Sequence, residues 1–506
     1  MTRTALRTNV AANFVGSAWI GLMSVVFIPL YVKLIGIEAY GLIGFFLALQ
    51  GTTKVFDLGL TTALNREFAR LAGMPGQTAL MRNLLRTIEI VYCSIGVLNG
   101  LAVILLSQVL AEHWMRPEHL STDVVQRAVL LMGVVITVQW PLGLYAGGLM
   151  GLQRQVSLNV VHAVMATVRG VGAVLILWAV SPTVEAYFLW QVVVSIVHTL
   201  AVAVLAWSDV GRESATFRRE TLVSVWHFAA GVFGIGVVSM LLTQMDKFVV
   251  SKVLPLAVFG HYALASAVAT SLYRLITPVF DAVFPRLSQL VASGSEAAVA
   301  ELYHRSSQML SVMVLPAGLF IAVFAPEVLM LWSSDADLWP HAHGMLSFLV
   351  IGTALNGVLT MPYALQLANG WTRLVIGTNV VAIVVLAPTL VLLTHLYGGI
   401  GAAMVWPIYN VVAGLVTIGV MHRRLLRGEG WRWVVGDVGL PLLAVTMVLL
   451  AGRYAIGGPG SSSLLVVKLF VVAVAVQVAA VAVAPEVRGS LRRAIAARWR
   501  VSAATP

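Results

Sequence analysis

Residues 184–207 read VEAYFLWQVVVSIVHTLAVAVLAW, an apolar run with one charged side chain, Glu185. A helix that crosses a membrane needs about 20 mostly apolar residues, whereas barrel strands alternate weakly over about ten. The whole chain of 506 residues is similar, with 59% apolar and 10% charged residues, against about a quarter charged in soluble domains. The composition excludes a soluble enzyme, a disordered chain and a nucleic-acid-binding domain. It predicts an all-α polytopic membrane protein.

Long apolar runs recur from one end of the chain to the other and predict about fourteen membrane-spanning helices. A polar stretch near 208–222 separates the first six from the remainder. The predicted spans lie near 11–32, 41–63, 85–108, 126–149, 157–180, 184–207, 223–250, 258–284, 307–331, 344–367, 374–396, 398–421, 434–452 and 464–484.

Basic residues are distributed unevenly between the two sets of loops. If the amino terminus is cytoplasmic, most of them fall on the cytoplasmic side, as the positive-inside rule requires. The outward segments then hold only Lys33, Arg116, Arg127, Lys252, Arg453 and Lys468. Both termini are therefore predicted to be cytoplasmic, and the net charge of +11 does not indicate nucleic-acid binding.

Landmarks in the first half recur about 220 positions later, which indicates an internal repeat. The pairs are Arg66 and Arg286, Pro141 and Pro362, Gly151 and Gly370, and Asn159 and Asn379. The predicted domains are a six-helix lobe at 1–208, a cytoplasmic linker at 209–222, a second six-helix lobe at 223–424, an extra helix pair at 425–484 and a basic amphipathic tail at 485–506. Since six is even, the lobes share one orientation, as in transporters built from parallel repeats, and a site between them would be exposed alternately to each side.

Four basic residues lie inside predicted spans, where a charge is costly and usually faces a wet cavity or a partner. Lys54 and Arg274 occupy equivalent positions of the repeat, and Arg169 lies deep in the fifth span. With Lys247, they are the predicted substrate-binding residues of a cationic cavity between the lobes. The alternatives are snorkelling to the interface for Lys54 and Arg274, and a buried carboxylate or glutamine partner for Arg169.

Two carboxylates in the same spans are candidates for ion coupling. Asp57 lies three residues after Lys54, so an internal ion pair is an equally good interpretation. Asp246 is adjacent to Lys247, and adjacent residues do not face each other on a helix, so each is expected to have its own partner. The sequence therefore leaves coupling and ion pairing open for both.

Several types of site are absent from the sequence. No GxxxxGK[ST] loop is present, so ATP hydrolysis by that machinery is not expected. The single cysteine, Cys93, excludes an internal disulfide or a CxxC site, and we predict no catalytic residue, metal site or cofactor.

In the tail, the spacing of Leu491, Ile495 and Trp499 among arginines predicts a helix that lies on anionic inner-leaflet lipids.

Several motifs resemble those of bacterial polysaccharide-unit flippases, of the O-antigen and exopolysaccharide type, in the multidrug/oligosaccharidyl-lipid/polysaccharide exporter superfamily. They are Asn13, Gly16 and Pro29-Leu30-Tyr31; the run from Leu34 to Gly41; Asp57-Leu58-Gly59-Leu60; Ala63-Leu64-Asn65-Arg66; and the second-lobe echo Phe259-Gly260-His261-Tyr262. The resemblance implies a bacterial inner-membrane protein that moves an undecaprenyl-pyrophosphate-linked oligosaccharide to the periplasmic leaflet. It implies a cationic lumen, which by position corresponds to Lys54, Arg169 and Arg274.

Two other functions remain open at this point. An ion-coupled multidrug or organic-cation antiporter of the same superfamily would rely on membrane carboxylates, but basic residues are at least as prominent here. A membrane-embedded glycan-processing enzyme would need a large soluble loop, and the longest polar loops have only about fifteen to twenty residues, too few for a catalytic domain. The proton and sodium are both candidates for a coupling ion.

Overall fold

The computed structural model describes residues 3–72, 74, 76–211, 215–333, 338–456, 462–490 and 492, and side chains within them except those of 3–14, 221–232, 235, 338, 372–376 and 462. These residues form helices and no strands. The helices are α1 Arg3–Val26, α2 Ile28–Ile35, α3 Ile37–Thr53, α4 Leu60–Ala72, α5 Thr78–Leu105, α6 Ser107–Val109, α7 Thr122–Gly151, α8 Gln155–Ala179, α9 Val184–Asp209, α10 Arg219–Val253, α11 Leu256–Thr270, α12 Tyr273–Ala292, α13 Glu296–Val323, α14 Ala325–Ser333, α15 Leu338–Val358, α16 Thr360–Ala368, α17 Thr372–Arg424, α18 Gly430–Arg432, α19 Leu440–Ile456 and α20 Ser462–Ala482.

The predicted all-α membrane fold is confirmed. Within the described residues, eleven helical stretches are long and apolar enough to cross a membrane. One of these, Gly377–Arg424, contains the non-helical residue Gly398, with φ 61° and ψ −142°, and so comprises two helices that meet between the predicted spans 374–396 and 398–421. The predicted spans 41–63 and 223–250 are not among the eleven, and the total of fourteen stays a prediction.

The second predicted span is a broken helix. α3 ends at Thr53, a turn of 3₁₀ helix covers Lys54–Asp57, and α4 begins at Leu60. Between them Leu58 and Gly59 have φ of 51° and 75°, which prevents continuation of a right-handed helix. The predicted eighth span is interrupted as well, because α11 ends at Thr270 and α12 begins at Tyr273. The two breaks lie next to Lys54 and Arg274, which the predicted repeat makes equivalent.

The chain divides into two compact units, residues 1–264 and 265–506. In the first unit α7 packs on α4, α5 and α9, and the fully buried side chains there include Leu64, Phe68, Leu85 and Leu149. In the second, α13 packs on α15, α19 and α20. Since the unit boundary lies within α11, the lobe boundary at the 209–222 linker stays a prediction.

The predicted outward ends of several helices in the first unit are joined by a group of contacts, here called the outer clasp and defined by residues 37–44, 113–120 and 251–263. The Trp114 indole N–H donates to Ser251 Oγ at 3.1 Å, and the Leu256 N–H donates to the Arg116 carbonyl at 2.9 Å. α3 and α11 approach closely, since a Cβ on Gly260 would lie 2.3 Å from the Ile37 carbonyl oxygen. Glycine is required at that contact.

One buried carboxylate organises the loop of the outer clasp. Glu38 is 5% exposed and accepts backbone N–H bonds from Glu118, His119 and Leu120, the last two at 3.0 Å. The next residue, Ser121, caps α7 through the Val124 N–H. The amino ends of α3 and α7 are therefore tied together.

The last two long helices, α19 and α20, pack on each other and on α13. This contact is consistent with a packing role for the extra pair. Of the predicted amphipathic tail at 485–506, Leu491, Ile495 and Trp499 lie outside the described residues, so its membrane-surface role stays a prediction.

Candidate functional site: a polar cavity at a helix break

A cavity of about 540 Å³ opens beside the break in the second span, within the first unit. Its walls come from α3, the 3₁₀ turn, α4, α5, α7 and α8. The polar and aromatic side chains that line it are Gln50, Thr53, Lys54, Asp57, Thr61, Thr62, Tyr92, Gln139, Trp140 and His162.

Lys54 is the cation of this cavity, and its side chain is exposed. It lies in the 3₁₀ turn rather than in a regular helix, because the left-handed residues that follow end the helix early. Discontinuous membrane helices at substrate sites are a recurrent feature of secondary transporters. The two candidate residues of this segment, Lys54 and Asp57, both line this cavity.

Asp57 is held by hydroxyl groups. The Tyr92 hydroxyl donates to Asp57 Oδ1 at 2.7 Å, and the Thr61 hydroxyl donates to the same oxygen. Among the ion pairs of the described residues there is none between Lys54 and Asp57, so the ion pair that their spacing allows does not form in this structure. The Lys54 ammonium is left available to a solute.

Two hydrogen-bonded pairs of polar side chains connect the helices around the cavity. Gln50 Nε2 donates to Gln139 Oε1 at 2.8 Å, which joins α3 to α7. His162 Nδ1 lies 2.8 Å from His198 Nε2, which joins α8 to α9. The cavity therefore presents amides, hydroxyls and an imidazole alongside one ammonium and one carboxylate.

An aromatic pair forms the floor of the cavity. The rings of Tyr92 and Trp140 stack at a centroid distance of 5.3 Å and an interplanar angle of 29°. Trp140 is 9% exposed, and its indole N–H has no hydrogen-bond partner in the described structure. A Cβ on Gly96 would lie 2.6 Å from Trp140 Cδ1, so this glycine makes room for the indole.

Arg169 lies apart from the cavity lining. Its guanidinium donates to Gln191 Oε1 at 3.0 Å and to Ser195 Oγ at 3.4 Å, and both partners are buried on α9. The sequence allows a buried glutamine partner for Arg169 as one interpretation, and in the structure the guanidinium stabilises the contact between α8 and α9 in this way. Its predicted role in the lumen stays a prediction.

Asp246 and Lys247 have separate partners, as expected from their adjacent positions. Asp246 Oδ2 accepts from the Tyr262 hydroxyl at 2.7 Å, and the Lys247 ammonium donates to the Thr243 carbonyl at 3.0 Å. The two side chains also approach each other, with Lys247 Nζ 3.4 Å from Asp246 Oδ1. The long lysine side chain folds back along the helix, a contact that the sequence argument did not anticipate.

Arg274 belongs to the second unit, where it is exposed and is the second residue of α12. The structure thus unites Lys54 and Asp57 in one cavity and places Arg169, Lys247 and Arg274 on other helices. The sequence analysis missed Gln50, Gln139, Tyr92, Trp140 and His162 as cavity residues. A polar side chain inside an apolar span is the signal that could have identified them, but it is weaker than the signal of a charged side chain.

Comparison with known proteins identifies the group to which this chain belongs. A family described as polysaccharide biosynthesis proteins matches residues 31–336, more than half of the chain. The chain belongs to this family. A "Putative O-antigen transporter" of Shigella flexneri is 20% identical over 409 residues, which cover 81% of this chain and 96% of that protein.

Two solved structures show which known folds this chain resembles. The lipid II flippase MurJ in an inward closed conformation matches with a TM-score of 0.67 and 14% identity, over 94% of this chain and 97% of that one. An inward-facing multidrug transporter of the same superfamily as the predicted family also has a TM-score of 0.67, with 15% identity, over 80% and 94% of the two chains. This membrane protein has the fold of a transporter, and these relatives are transporters and a flippase rather than enzymes, in agreement with the prediction that it is not an enzyme.

Proposed function

We propose that this protein moves an undecaprenyl-pyrophosphate-linked oligosaccharide from the cytoplasmic to the periplasmic leaflet of a bacterial inner membrane, with both termini cytoplasmic. The head group would enter a polar cavity that is exposed alternately to the two sides, while the polyprenyl tail stays in lipid. A pyrophosphate and a sugar chain cannot cross hydrocarbon unaided, since buried charges and unpaired hydroxyls are costly. The protein would serve in O-antigen or exopolysaccharide assembly.

The observation that carries the proposal is the exposed Lys54 ammonium at a helix break that lines a 540 Å³ cavity. An unpaired cation inside a membrane protein marks a substrate or ion pathway by default. Arg274 occupies the equivalent position of the predicted repeat and is also exposed. We propose that Lys54 and Arg274 receive the pyrophosphate, with Arg169 and Lys247 as further cationic residues of the lumen.

The rest of the cavity suits the sugar. Amides, hydroxyls and the Asp57 carboxylate supply the donors and acceptors that hydroxyl-rich solutes require. The apolar face of a sugar ring can pack on the Tyr92–Trp140 pair, since aromatic side chains supply a large apolar area next to a polar group.

The energy source in this proposal is a gradient. Since the sequence has no phosphate-binding loop of the ATPase type, transport would be driven by a proton or sodium gradient, the membrane potential or the substrate gradient. Asp57 and Asp246 are candidate carboxylates for binding a coupling ion.

Alanine substitution tests the cationic residues. We expect Lys54→Ala and Arg274→Ala each to lower the flipping of lipid-linked oligosaccharide in proteoliposomes, because each removes an attraction to the pyrophosphate, whereas Lys54→Arg retains the charge and the activity. Lys33→Ala is the matched control, since Lys33 is an exposed lysine outside the cavity lining. Full activity in the double variant Lys54→Ala/Arg274→Ala would refute the mechanism.

A multidrug antiporter is the second candidate, and Asp57 is the observation that favours it. A carboxylate in the cavity of a fold shared with multidrug transporters could bind an organic cation. A deletion strain distinguishes the two functions. Lipid-linked oligosaccharide trapped in the inner leaflet supports the flippase, whereas altered drug tolerance with normal surface glycan supports the antiporter.

A further inference from the structure

A second polar cluster is buried in the unit 265–506. None of its residues is among the candidate site residues that the sequence predicts. His304 of α13 is fully buried, and both of its ring nitrogens face carboxylates. Nδ1 contacts Asp437 Oδ2, and Nε2 lies 3.1 Å from Glu429 Oε2. Asp437 is also fully buried, whereas the Glu429 side chain is 33% exposed.

These contacts fix the number of protons in the cluster. A hydrogen bond between a ring nitrogen and a carboxylate oxygen requires a proton, and a neutral imidazole carries only one N–H. Two such contacts therefore require two protons. Either His304 is an imidazolium between two carboxylates, or it is neutral and one carboxyl group is protonated. Loss of one proton would place a lone pair opposite a carboxylate oxygen and break a contact.

The inner carboxylate is held in place from several directions. Asp437 Oδ1 accepts from Gln308 Nε2 at 3.0 Å, and Gln308 Oε1 accepts from the Glu486 N–H at 3.0 Å. Asp437 lies in the π-helical segment Trp433–Gly439, and such departures from the α-helix are frequent at functional sites. The rigid Asp437 side leaves Glu429 as the group that can exchange a proton with water.

Other titratable groups surround the cluster on the elements packed against it. Tyr303 donates to His422 Nε2 at 3.3 Å, because His422 Nδ1 lies 3.0 Å from the Ile418 carbonyl and supplies the N–H there. Arg432 Nη1 lies 3.7 Å from Glu429 and Nη2 lies 3.4 Å from Glu486. The charged and titratable groups that face His304 or its two carboxylates are therefore Tyr303, His422 and Arg432. Glu486 faces Arg432.

We propose that His304, Asp437 and Glu429 form a proton-binding site that couples substrate movement to proton movement. A proton passes from His304 Nε2 to Glu429 Oε2 and leaves Glu429 for water, on the side that the loop charges predict to be cytoplasmic. The contact between α13 and residues 429–439 then weakens, and it reforms when a proton reaches the cluster from the opposite side of the membrane in the other state of the transport cycle. This inference rests on the proposed transport function and places coupling in a cluster separate from the cavity of Lys54.

A permanently protonated cluster that only fastens residues 429–439 to α13 is the competing explanation. Both explanations predict that loss of His304 weakens the fold. Only the proposed site predicts a response to a pH gradient that disappears when the exit group is neutralised. The partly exposed Glu429 is therefore a better target than the fully buried histidine.

The test measures the distribution of lipid-linked oligosaccharide between the leaflets of proteoliposomes, with and without a gradient of one pH unit. Such a gradient supplies at most about a tenfold shift in that distribution for one coupled proton. We expect the wild type to shift by up to this factor and Glu429→Gln to equilibrate the lipid without a shift. Glu486→Gln is the matched control, because Glu486 contacts Arg432 but not His304, and it should keep the shift.

The outcomes separate this inference from the proposed function. No equilibration by the wild type at any pH contradicts the proposed function. Equilibration without a pH response, or a full response in Glu429→Gln, overturns the coupling site.

Discussion

Tyr92 connects two parts of the cavity wall through one side chain. Its hydroxyl donates to Asp57 at 2.7 Å, and its ring stacks on Trp140 at 5.3 Å. Since Tyr92 is 4% exposed, its hydroxyl has little access to water as an alternative partner. The carboxylate and the aromatic floor therefore keep a fixed geometry before any solute arrives.

Removing this hydroxyl should be costly. We expect Tyr92→Phe to lower the free energy of unfolding by about 1.5–3 kcal/mol, the usual contribution of a hydrogen bond to a charged group, while the ring stack is retained. Chemical denaturation in detergent measures the change. Tyr454→Phe is the control, because Tyr454 is 92% exposed. Equal stabilities of the two variants would contradict the assigned bond.

At the scale of single residues, the sequence predicts which charged side chains line the cavity better than it predicts their hydrogen-bond partners. Lys54 and Asp57 are identifiable because a charge inside an apolar span is rare, and both line the cavity. The bond from Tyr92 to Asp57, or from Arg169 to Gln191, depends on how helices far apart in sequence pack. Gln50 and Gln139 carry no charge, so their pairing across α3 and α7 left no comparable signal.

At the scale of the element, Gly398 separates two helices that would otherwise be one. Its φ of 61° with ψ of −142° is a combination that side chains with a Cβ rarely adopt. The predicted spans on either side of 397 show that the sequence locates this boundary. The break at Leu58 and Gly59 was not predicted. Leu58 is a non-glycine residue in a left-handed conformation, and the composition of the surrounding segment resembles that of a continuous membrane-spanning helix.

An alanine pair within α17 tests this conformation. Gly398→Ala should destabilise the protein by about 1–3 kcal/mol, since the backbone there is strained for any side chain. Gly377→Ala should be neutral or stabilising by up to about 1 kcal/mol, because Gly377 is helical and nothing lies within 4 Å of an added Cβ. Unfolding midpoints of the two variants check the difference, and a Gly398→Ala variant as stable as Gly377→Ala would show that the break tolerates a side chain.

The His304 cluster shows a further limit of sequence reading. His304 lies more than a hundred residues from Glu429 and Asp437, and nothing in this spacing suggests a common site. Only the packing of α13 against the π-helical segment Trp433–Gly439 brings them together.

At the scale of the whole molecule, alternating exposure of the cavity requires the outer clasp to open. The clasp joins residues of the predicted first lobe to the end of α10 and the start of α11, through Trp114 and Ser251 among others. In the proposed function, substrate leaves on this side, so these contacts must separate once in each cycle.

A reversible cross-link tests the opening of the outer clasp. In a Cys93→Ala background, we expect Trp114→Cys/Ser251→Cys to lose flipping when a short cleavable reagent bridges the two thiols and to regain it after cleavage. The monofunctional form of the reagent is the control for modification alone. Full flipping by the bridged protein would show that the clasp stays closed throughout transport.

The Glu38 carboxylate has a consequence for how this protein can diversify. It binds three successive backbone N–H groups ahead of the cap of α7, and backbone groups are the same whatever side chains surround them. The loop of the outer clasp therefore depends on Glu38 and on main-chain atoms, while the cavity wall that faces the substrate depends on side chains such as Gln139 and Trp140. Selection for a different sugar can therefore change the side chains of the cavity wall one at a time without disrupting the loop of the outer clasp.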